Sequence, residues 1–305
     1  MSAPRVSVVI PAYAAAAFIE LTLDSVAAQT YRDFEIVVVD DGSPDDTKAV
    51  VDRWLARTGA RGTCIRRPNG RIAAARNTGL KAASGDLVAL LDHDDLWRPE
   101  KLALCVAEFD AHPETALVGH HTDVVEDGKV IRVERKGPAS SSMYDRLLFE
   151  ANAVAPSAAV FRRDKALEIG GFREAPQFNT VEDYDFWMRL AKTGPFRFLD
   201  RVLSSYTVIP GSASRRVEYH HTNLEALLRD HFASRLGPEP GLLGRLRARR
   251  RLSFVYRSAV AALLEPGSDA PLRRSYARRM LAAWPLSPRN LGRAGQALLA
   301  ELAGR

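Results

Sequence analysis

The chain has 305 residues, 46% of them hydrophobic, and a formal net charge of +6. That allows one large domain or a domain with an appendage, and no run approaches the ~20 apolar residues of a membrane-spanning helix. Two cysteines, Cys64 and Cys105, suggest neither a disulfide framework nor a zinc-ligand spacing. Met1–Arg5 leads straight into a strand, so no signal peptide is expected and a reducing, cytoplasmic setting fits, with both thiols buried and inert. The charge is uneven: from residue 215 onward there are 17 Arg, no Lys and 7 acids, a net +10, which leaves −4 for the remainder. The aromatics of that basic region are few and scattered, so no nucleic-acid surface is expected.

Val6 to Ile10 reads as a buried strand closed by Pro11, and Ala15 to Ala28 as an amphipathic helix. Glu35 to Val39 is a second buried strand. A helix carrying Val50, Val51, Trp54 and Leu55 follows, with Asp45, Asp46 or Thr47 available as its cap. Thr63 to Arg66 is a short strand, Ile72 to Ala83 an Ala-rich helix, and Asp86 to Leu91 the next buried strand. Pro99 suits the first turn of a helix through Leu102, Val106 and Phe109.

Such alternation argues a parallel sheet covered by helices. The rhythm then changes. Ala116–Val125 and Lys129–Val133 predict a hairpin around Glu126-Asp127-Gly128. Pro138–Ser142 reads as loop, Ala158–Phe161 as strand, Glu182–Lys192 as helix, Phe196–Tyr206 as strand, and everything beyond Ser214 as helical. The expected division is a domain over residues 1–214 and an Arg-rich helical region over 215–305.

Two acidic clusters end apolar strands: Asp40-Asp41-Gly42-Ser43 and Asp92-His93-Asp94-Asp95. In open α/β sheets ligands bind at the carboxyl ends of strands. Several carboxylates at one edge repel each other unless a cation, a base or water intervenes. Mg²⁺ or Mn²⁺ holding a nucleotide diphosphate meets that need.

Six segments carry a family resemblance: Val-Ser-Val-Val-Ile-Pro-Ala-Tyr (6–13), Val-Val-Asp-Asp-Gly-Ser (38–43), Ala-Arg-Asn-Thr-Gly (75–79), Leu-Asp-His-Asp-Asp (91–95), Gly-Gly-Phe (170–172) and Glu-Asp-Tyr-Asp-Phe-Trp (182–187). In this order and spacing they resemble the family 2 glycosyltransferases over about Val6 to Ser214. The resemblance implies a GT-A fold: a Rossmann-like, mixed, mainly parallel α/β sheet flanked by helices, here with a helical C-terminal appendage. It implies inverting, metal-dependent transfer from a nucleotide diphosphate sugar, with UDP-sugars favoured, to a hydroxyl of a glycan or lipid-linked acceptor. The default context is bacterial surface polysaccharide or glycolipid synthesis.

By the same resemblance, Pro11, Ala12 and Tyr13 lie along the donor, and an aspartate at Asp40 or Asp41 bonds the base. A carboxylate can accept from the imide N–H of uracil or the N–H groups of guanine. Asp-Asp-Gly-Ser would equally serve as a plain turn and helix cap. Asp94 is the expected metal ligand, Asp92 a ribose contact or second ligand, and Asp95 an orienting group, while His93 points away. Arg76 is expected at the nucleotide, with pairing to a nearby acid as its ordinary alternative. The family places its general base in the Glu182-Asp183 pair; Asp183 is preferred, then Glu182, then Asp185. Acids in a first helical turn are also simply favoured by the helix dipole.

His120 and His121, adjacent on a strand, face opposite ways and do not make a metal site. Several positions depart from the family pattern: Ala14 replaces an Asn, Arg71 a Gly, and Thr207 and Ile209 an Arg and a His ahead of Pro210, Ser212 and Ser214. Those losses keep a non-catalytic nucleotide-sugar binder as the alternative. A phosphatase using Asp92 as nucleophile fits poorly with Leu96-Trp97 after the acids, and no Gly-x-Gly-x-x-Gly supports a dehydrogenase. The Arg clusters at 245–251 and 273–279 suit either packing within the protein or peripheral contact with anionic membrane.

Overall fold

The structure, a computed structural model, describes residues 3–208, 217–265 and 268–303, the side chains of 301–303 excepted. It divides into two compact units: residues 1–147, 152–174 and 182–210, and residues 148–151, 175–181 and 211–305.

The first unit runs β1 (Val6–Ala12), α1 (Ile19–Ala27), β2 (Phe34–Asp40), α2 (Thr47–Thr58), β3 (Gly62–Arg66), α3 (Arg71–Ala82), β4 (Leu87–Leu90), β5 (Leu96–Trp97) and α4 (Lys101–Ala111). Then come β6 (Leu117–Glu126), β7 (Lys129–Glu134), α5 (Met143–Phe149, whose last two residues fall in the second unit), β8 (Val160–Arg162), α6 (Arg163–Glu168), α7 (Glu182–Leu190) and β9 (Phe196–Thr207). Among the described residues the nine strands form one sheet, ordered β3-β2-β1-β4-β8-β6-β9-β5, with β7 paired to β6. The pairs β1–β2, β1–β4, β2–β3 and β6–β9 are parallel; β4–β8, β6–β8, β5–β9 and the β6–β7 hairpin are antiparallel.

The apolar runs of β1, β2 and β4 are buried on both faces because helices cover both. Val6, Val8, Ile10, Ile36, Val38, Leu87 and Ala89 pack with Ile19 and Leu23 of α1, Val51 and Trp54 of α2, and Leu102 and Phe109 of α4. On the other face α3 lies against β1, so close that a Cβ on Gly79 would sit 2.3 Å from Val9 Cγ1.

Several expectations need correction. The first helix begins at Ile19, not Ala15, because the chain stays irregular through Ala14, whose φ is +51°. Asp46 occupies the cap position of α2 without a side-chain bond; Asp45 instead accepts from Thr47 N and Ala16 N and ties two loops together. Pro99 precedes α4 by two residues. The strand expected at Ala158–Phe161 is a 3₁₀ turn, Pro156–Ala158, followed by β8. Cys105 is buried but Cys64 only partly so; burial pushes both thiols up to about 11. The short elements β5, α5 and α6 were not anticipated.

The second unit contains α8 (Val217–Leu236), α9 (Leu242–Ala262), α10 (Ala270–Ala283) and α11 (Pro288–Ala303). Its core includes Leu227, Leu228, Val255, Tyr256, Ala259, Val260, Tyr276 and Met280. Helices α9 and α10 run antiparallel: Arg273 donates to the Leu263 carbonyl at one end, and Arg249 to the Ala282 carbonyl at the other. Among the described residues no helix is long and apolar enough to cross a membrane.

Candidate active site

The parallel register puts the ends of β2, β1 and β4 side by side. Ala12 is level with Asp40, and Val9 with Leu90. Neighbouring strands are about 4.8 Å apart, so the acids after β2 and β4 stand about 10 Å apart across the end of β1. Pro11 and Ala12 are buried there, while Tyr13 is half exposed.

Asp40 is fully buried. Its Oδ1 accepts from Ser43 N at 2.8 Å, and among the described residues its Oδ2 has no hydrogen bond, with Arg66 Nε 3.6 Å away. Asp41 accepts from Arg67 and from Gly70 N. These bonds pull residues 67–70 over the acidic turn, where a Cβ on Gly42 (φ +73°) would meet Asn69 N at 2.8 Å.

After β4 the four residues take different parts. His93 donates through Nδ1 to the Pro11 carbonyl at 3.1 Å and stacks on Phe18, so it does point away from the acids. Asp95 is buried and accepts from Ser157 Oγ and Thr207 N. Burial, Asp92 and Asp94 hold its carboxyl well above the usual range. Ser157 also accepts from Asp92 N, and its carbonyl accepts from Trp97 Nε1. Asp95 thus fastens the β4 end to β9 and the 3₁₀ turn. Of the tail expected after Tyr206, Thr207 is placed by this bond; Ile209, Pro210, Ser212 and Ser214 lie outside the described residues.

Asp94 is half buried, and among the described residues no other residue donates to its carboxylate. Burial and Asp92 push its pKa up, while His93 opposes them. A partly desolvated carboxylate without a donor, beside a second carboxylate, is what a hard divalent cation would satisfy. Among the described residues no three His, Cys, Asp or Glu gather tightly enough to hold a metal alone. Asp94 and Asp92 could therefore hold one only with further ligands from substrate and water.

Arg76 is the second organising feature. It is 1% exposed. Its Nη2 donates to Asp92 Oδ1 at 2.9 Å and its Nη1 to Glu182 Oε1 at 2.7 Å, with the guanidinium carbon 5.6 Å from the Phe172 ring centre. Expected to face the nucleotide, the guanidinium is engaged between two carboxylates instead. It joins the acids at the strand ends to the first turn of α7. Glu182 is buried, and burial pushes it up to about 7 against the pull of Arg76. Asp183 is raised by burial, again against Arg76, and remains partly open. Asp185, the third candidate base, is buried and accepts from Arg173 and Arg189. Those pairs fix α7 and leave Asp185 no room to serve an acceptor.

Sequence reasoning missed Ser157 and gave no separate role to Phe172 and Asn77, though both lie in quoted motifs. The Asn77 amide donates to the Phe172 carbonyl and to Glu174, and accepts from Phe172 N. That clamp holds the Gly170-Gly171 turn, and Phe172 in turn stacks on Phe186. Ala-Arg-Asn-Thr-Gly held the signal: Arg76 and Asn77 are adjacent polar residues within the buried stretch of α3. His120 and His121 play structural parts, one buried in the sheet and the other bonded to Asp200.

A mixed α/β sheet with carboxylates converging at its strand ends is the GT-A arrangement. The family model described as glycosyl transferase family 2 matches residues 7–170, and the chain belongs to that family of enzymes. It is 29% identical over 230 residues to a chondroitin synthase of Pasteurella multocida (strain Pm70), covering 75% of this chain and 22% of that one. The chain spans only about a quarter of the length of the first curated relatives it matches. Among solved structures, S. aureus TarS 1-349 in complex with UDP-GlcNAc superposes with a TM-score of 0.66 at 17% identity, covering 99% of this chain and 92% of that one. The mannosyltransferase PcManGT from Pyrobaculum calidifontis, in complex with GDP-Man and Mn²⁺, gives 0.57 at 23% identity, with 100% and 88% covered. At these identities the likenesses establish the fold.

Proposed function

We propose that the chain transfers a sugar, with inversion, from a nucleotide diphosphate donor to a hydroxyl acceptor. UDP-sugars are favoured, and the product belongs to bacterial surface polysaccharide or glycolipid synthesis. The observation that carries this reading is Arg76, whose two arms draw the β4-end acids and the Glu182-Asp183 pair into one constellation. UDP-GlcNAc in TarS and GDP-Man with Mn²⁺ in PcManGT support a nucleotide-sugar donor and a divalent cation here as well. The cytoplasm, or the inner face of the membrane, is the proposed setting. The proposed division of labour keeps residues 1–214 as the donor-binding and catalytic domain and 215–305 as the helical region.

In this reading Pro11, Ala12 and Tyr13 line the donor, and Asp40 or Asp41 receives a base N–H. Asp40 Oδ2 is a buried acceptor without a hydrogen bond among the described residues. Asp94, assisted by Asp92, would hold Mg²⁺ or Mn²⁺, which would supply positive charge to neutralise the diphosphate. Asp183 takes the acceptor proton. Its raised pKa makes it a better base than an ordinary surface aspartate, and it lacks the direct bond to Arg76 that occupies Glu182.

Asp183→Asn tests the assignment. It should leave the donor-induced thermal shift intact, read across UDP-, GDP- and dTDP-sugars with Mn²⁺, and cut transfer by at least ~10²-fold, the general-base range. Undiminished transfer would remove Asp183 from this role. Donor binding without turnover by the unmodified chain, across acceptors, would favour the non-catalytic binder.

A further inference from the structure

We propose that one end of the α9–α10–α11 helices is a docking surface for anionic phospholipid, with exposed leucines as its tip and arginines as its collar. This goes beyond a general basic character by assigning the surface. Its test needs no turnover, so it can fail independently of the transferase reading.

Arg249 of α9 donates to the Ala282 carbonyl in the last turn of α10, so the start of α9 and the α10–α11 connection lie at the same end of the helical unit. Leu242 and Leu243 open α9 and are 72% and 77% exposed; Leu286 lies in the connection at 88%; Leu291, in the first turn of α11, is 54% exposed. Single exposed leucines need no explanation, but four at one end of a unit do.

The arginines supply the second observation. Arg245, Arg247, Arg249, Arg250 and Arg289 are exposed and Arg293 is partly so. Among the described residues none of the six pairs with a carboxylate. Arg245 and Arg249 donate to the Pro240 and Ala282 carbonyls, while Arg247 and Arg250 lie over Phe149 and Phe254. Glu239 is the acid nearest Leu242 in the chain. Stable peripheral binding takes two signals, an apolar insertion and a basic patch. This end has both. Six guanidiniums without a carboxylate partner among the described residues favour a negatively charged surface over a second copy of the same basic region, which would repel them.

The experiment is co-sedimentation of the full chain with vesicles of phosphatidylcholine alone or mixed with phosphatidylglycerol. Binding is expected to the mixed vesicles only, weakening as salt rises. Leu242→Ser/Leu243→Ser/Leu286→Ser should abolish it. Arg245→Ala/Arg289→Ala should weaken it at least ~10-fold, from about five-fold per charge near such a surface. All five side chains are exposed, so melting curves and the donor-induced thermal shift should match the unmodified chain in both variants. Three results would overturn the proposal: no sedimentation with anionic vesicles, equal binding to neutral ones, or a serine variant that binds unchanged. A dimer in light scattering that the serine variant dissolves, with no vesicle binding, would instead give the leucines to a second copy.

Discussion

Arg76 Nη1 donates to Glu182 Oε1 at 2.7 Å across 106 positions of sequence, and both side chains are almost wholly withdrawn from solvent. Removing one partner of a buried pair leaves an uncompensated charge, which typically costs about 3–5 kcal/mol. Arg76→Met should therefore destabilise the fold by about that amount in urea titrations, an order beyond an ordinary surface substitution. Arg76→Met/Glu182→Gln should recover part of the loss, because the deeply buried carboxyl is then neutral and only the more exposed Asp92 lacks its partner. If the double variant is no more stable than the single one, the ion pair is not what holds Arg76 in place.

The same carboxyl gives a pH dependence. Glu182 titrates at about 7 in the folded chain against 4.5 for the ordinary group, chiefly because burial disfavours its charged form. Between those values the native state holds a proton that the unfolded chain releases. Its contribution to stability is thus fully present below pH 4.5 and is lost as pH rises through about 7. Glu182→Gln cannot ionise. The difference in unfolding free energy between the unmodified chain and this variant should move against the unmodified chain from acid to neutral pH. Parallel curves would mean that the carboxyl titrates in the folded chain as it does in the unfolded one.

Long apolar runs made β1, β2 and β4 legible, since a strand buried on both faces has a composition nothing exposed shares. The acids at their ends were legible for the same reason. The two-residue β5 and the short α5 and α6 carry too few residues to show a period. The bridging position of Arg76 was hidden because its partners lie 16 and 106 positions away. Pairing with an acid was foreseeable, but which acids, and that one guanidinium spans two clusters, depended on where α7 packs. Asp95 looked like its neighbours in sequence; only Ser157 and Thr207, from distant segments, make it a structural tie.

Two departures from the family pattern acquire a backbone meaning. Ala14 has φ +51° and Arg71 φ +71°, the left-handed region in which Asn and Gly are favoured. A left-handed L-residue costs about 1–2 kcal/mol, while glycine loses about 0.5–1 kcal/mol in chain entropy. Arg71→Gly should therefore stabilise the chain by about 0.5–1 kcal/mol, and Ala14→Asn should raise the melting temperature as well. Differential scanning calorimetry reads both. A fall in stability at Arg71 would show that its side chain contributes more than its backbone costs.

Gly79, the glycine of Ala-Arg-Asn-Thr-Gly, has a packing reason rather than a conformational one. A Cβ there would lie 2.3 Å from Val9 Cγ1 on β1, and forcing a methyl into a packed core costs about 1–3 kcal/mol. Helix propensity favours alanine by about 1 kcal/mol, so Gly79→Ala should lower stability by up to about 2 kcal/mol net. Gly79→Ala/Val9→Ala should regain part of the loss if the Val9 contact is its source. A stabilising Gly79→Ala, measured by urea titration, would mean α3 can move outward freely.

Asp94 and Asp95 are neighbours with opposite expected responses. Asp95 accepts from Ser157 and Thr207, so Asp95→Ala strands two donors and should cost about 1–3 kcal/mol. Among the described residues no other residue donates to the Asp94 carboxylate, and burial beside Asp92 already disfavours its charge. Asp94→Ala should thus leave the melting temperature of the free protein unchanged or slightly higher, since it removes a repulsion and no bond. It should also abolish the part of the donor-induced thermal shift that depends on Mn²⁺, because the hard oxygen ligand is gone. Stability and cation response must separate in this variant. An Asp94→Ala chain that keeps its Mn²⁺-dependent donor shift would move the cation elsewhere on the sheet edge, and one that melts early would make Asp94 a structural acid like its neighbour.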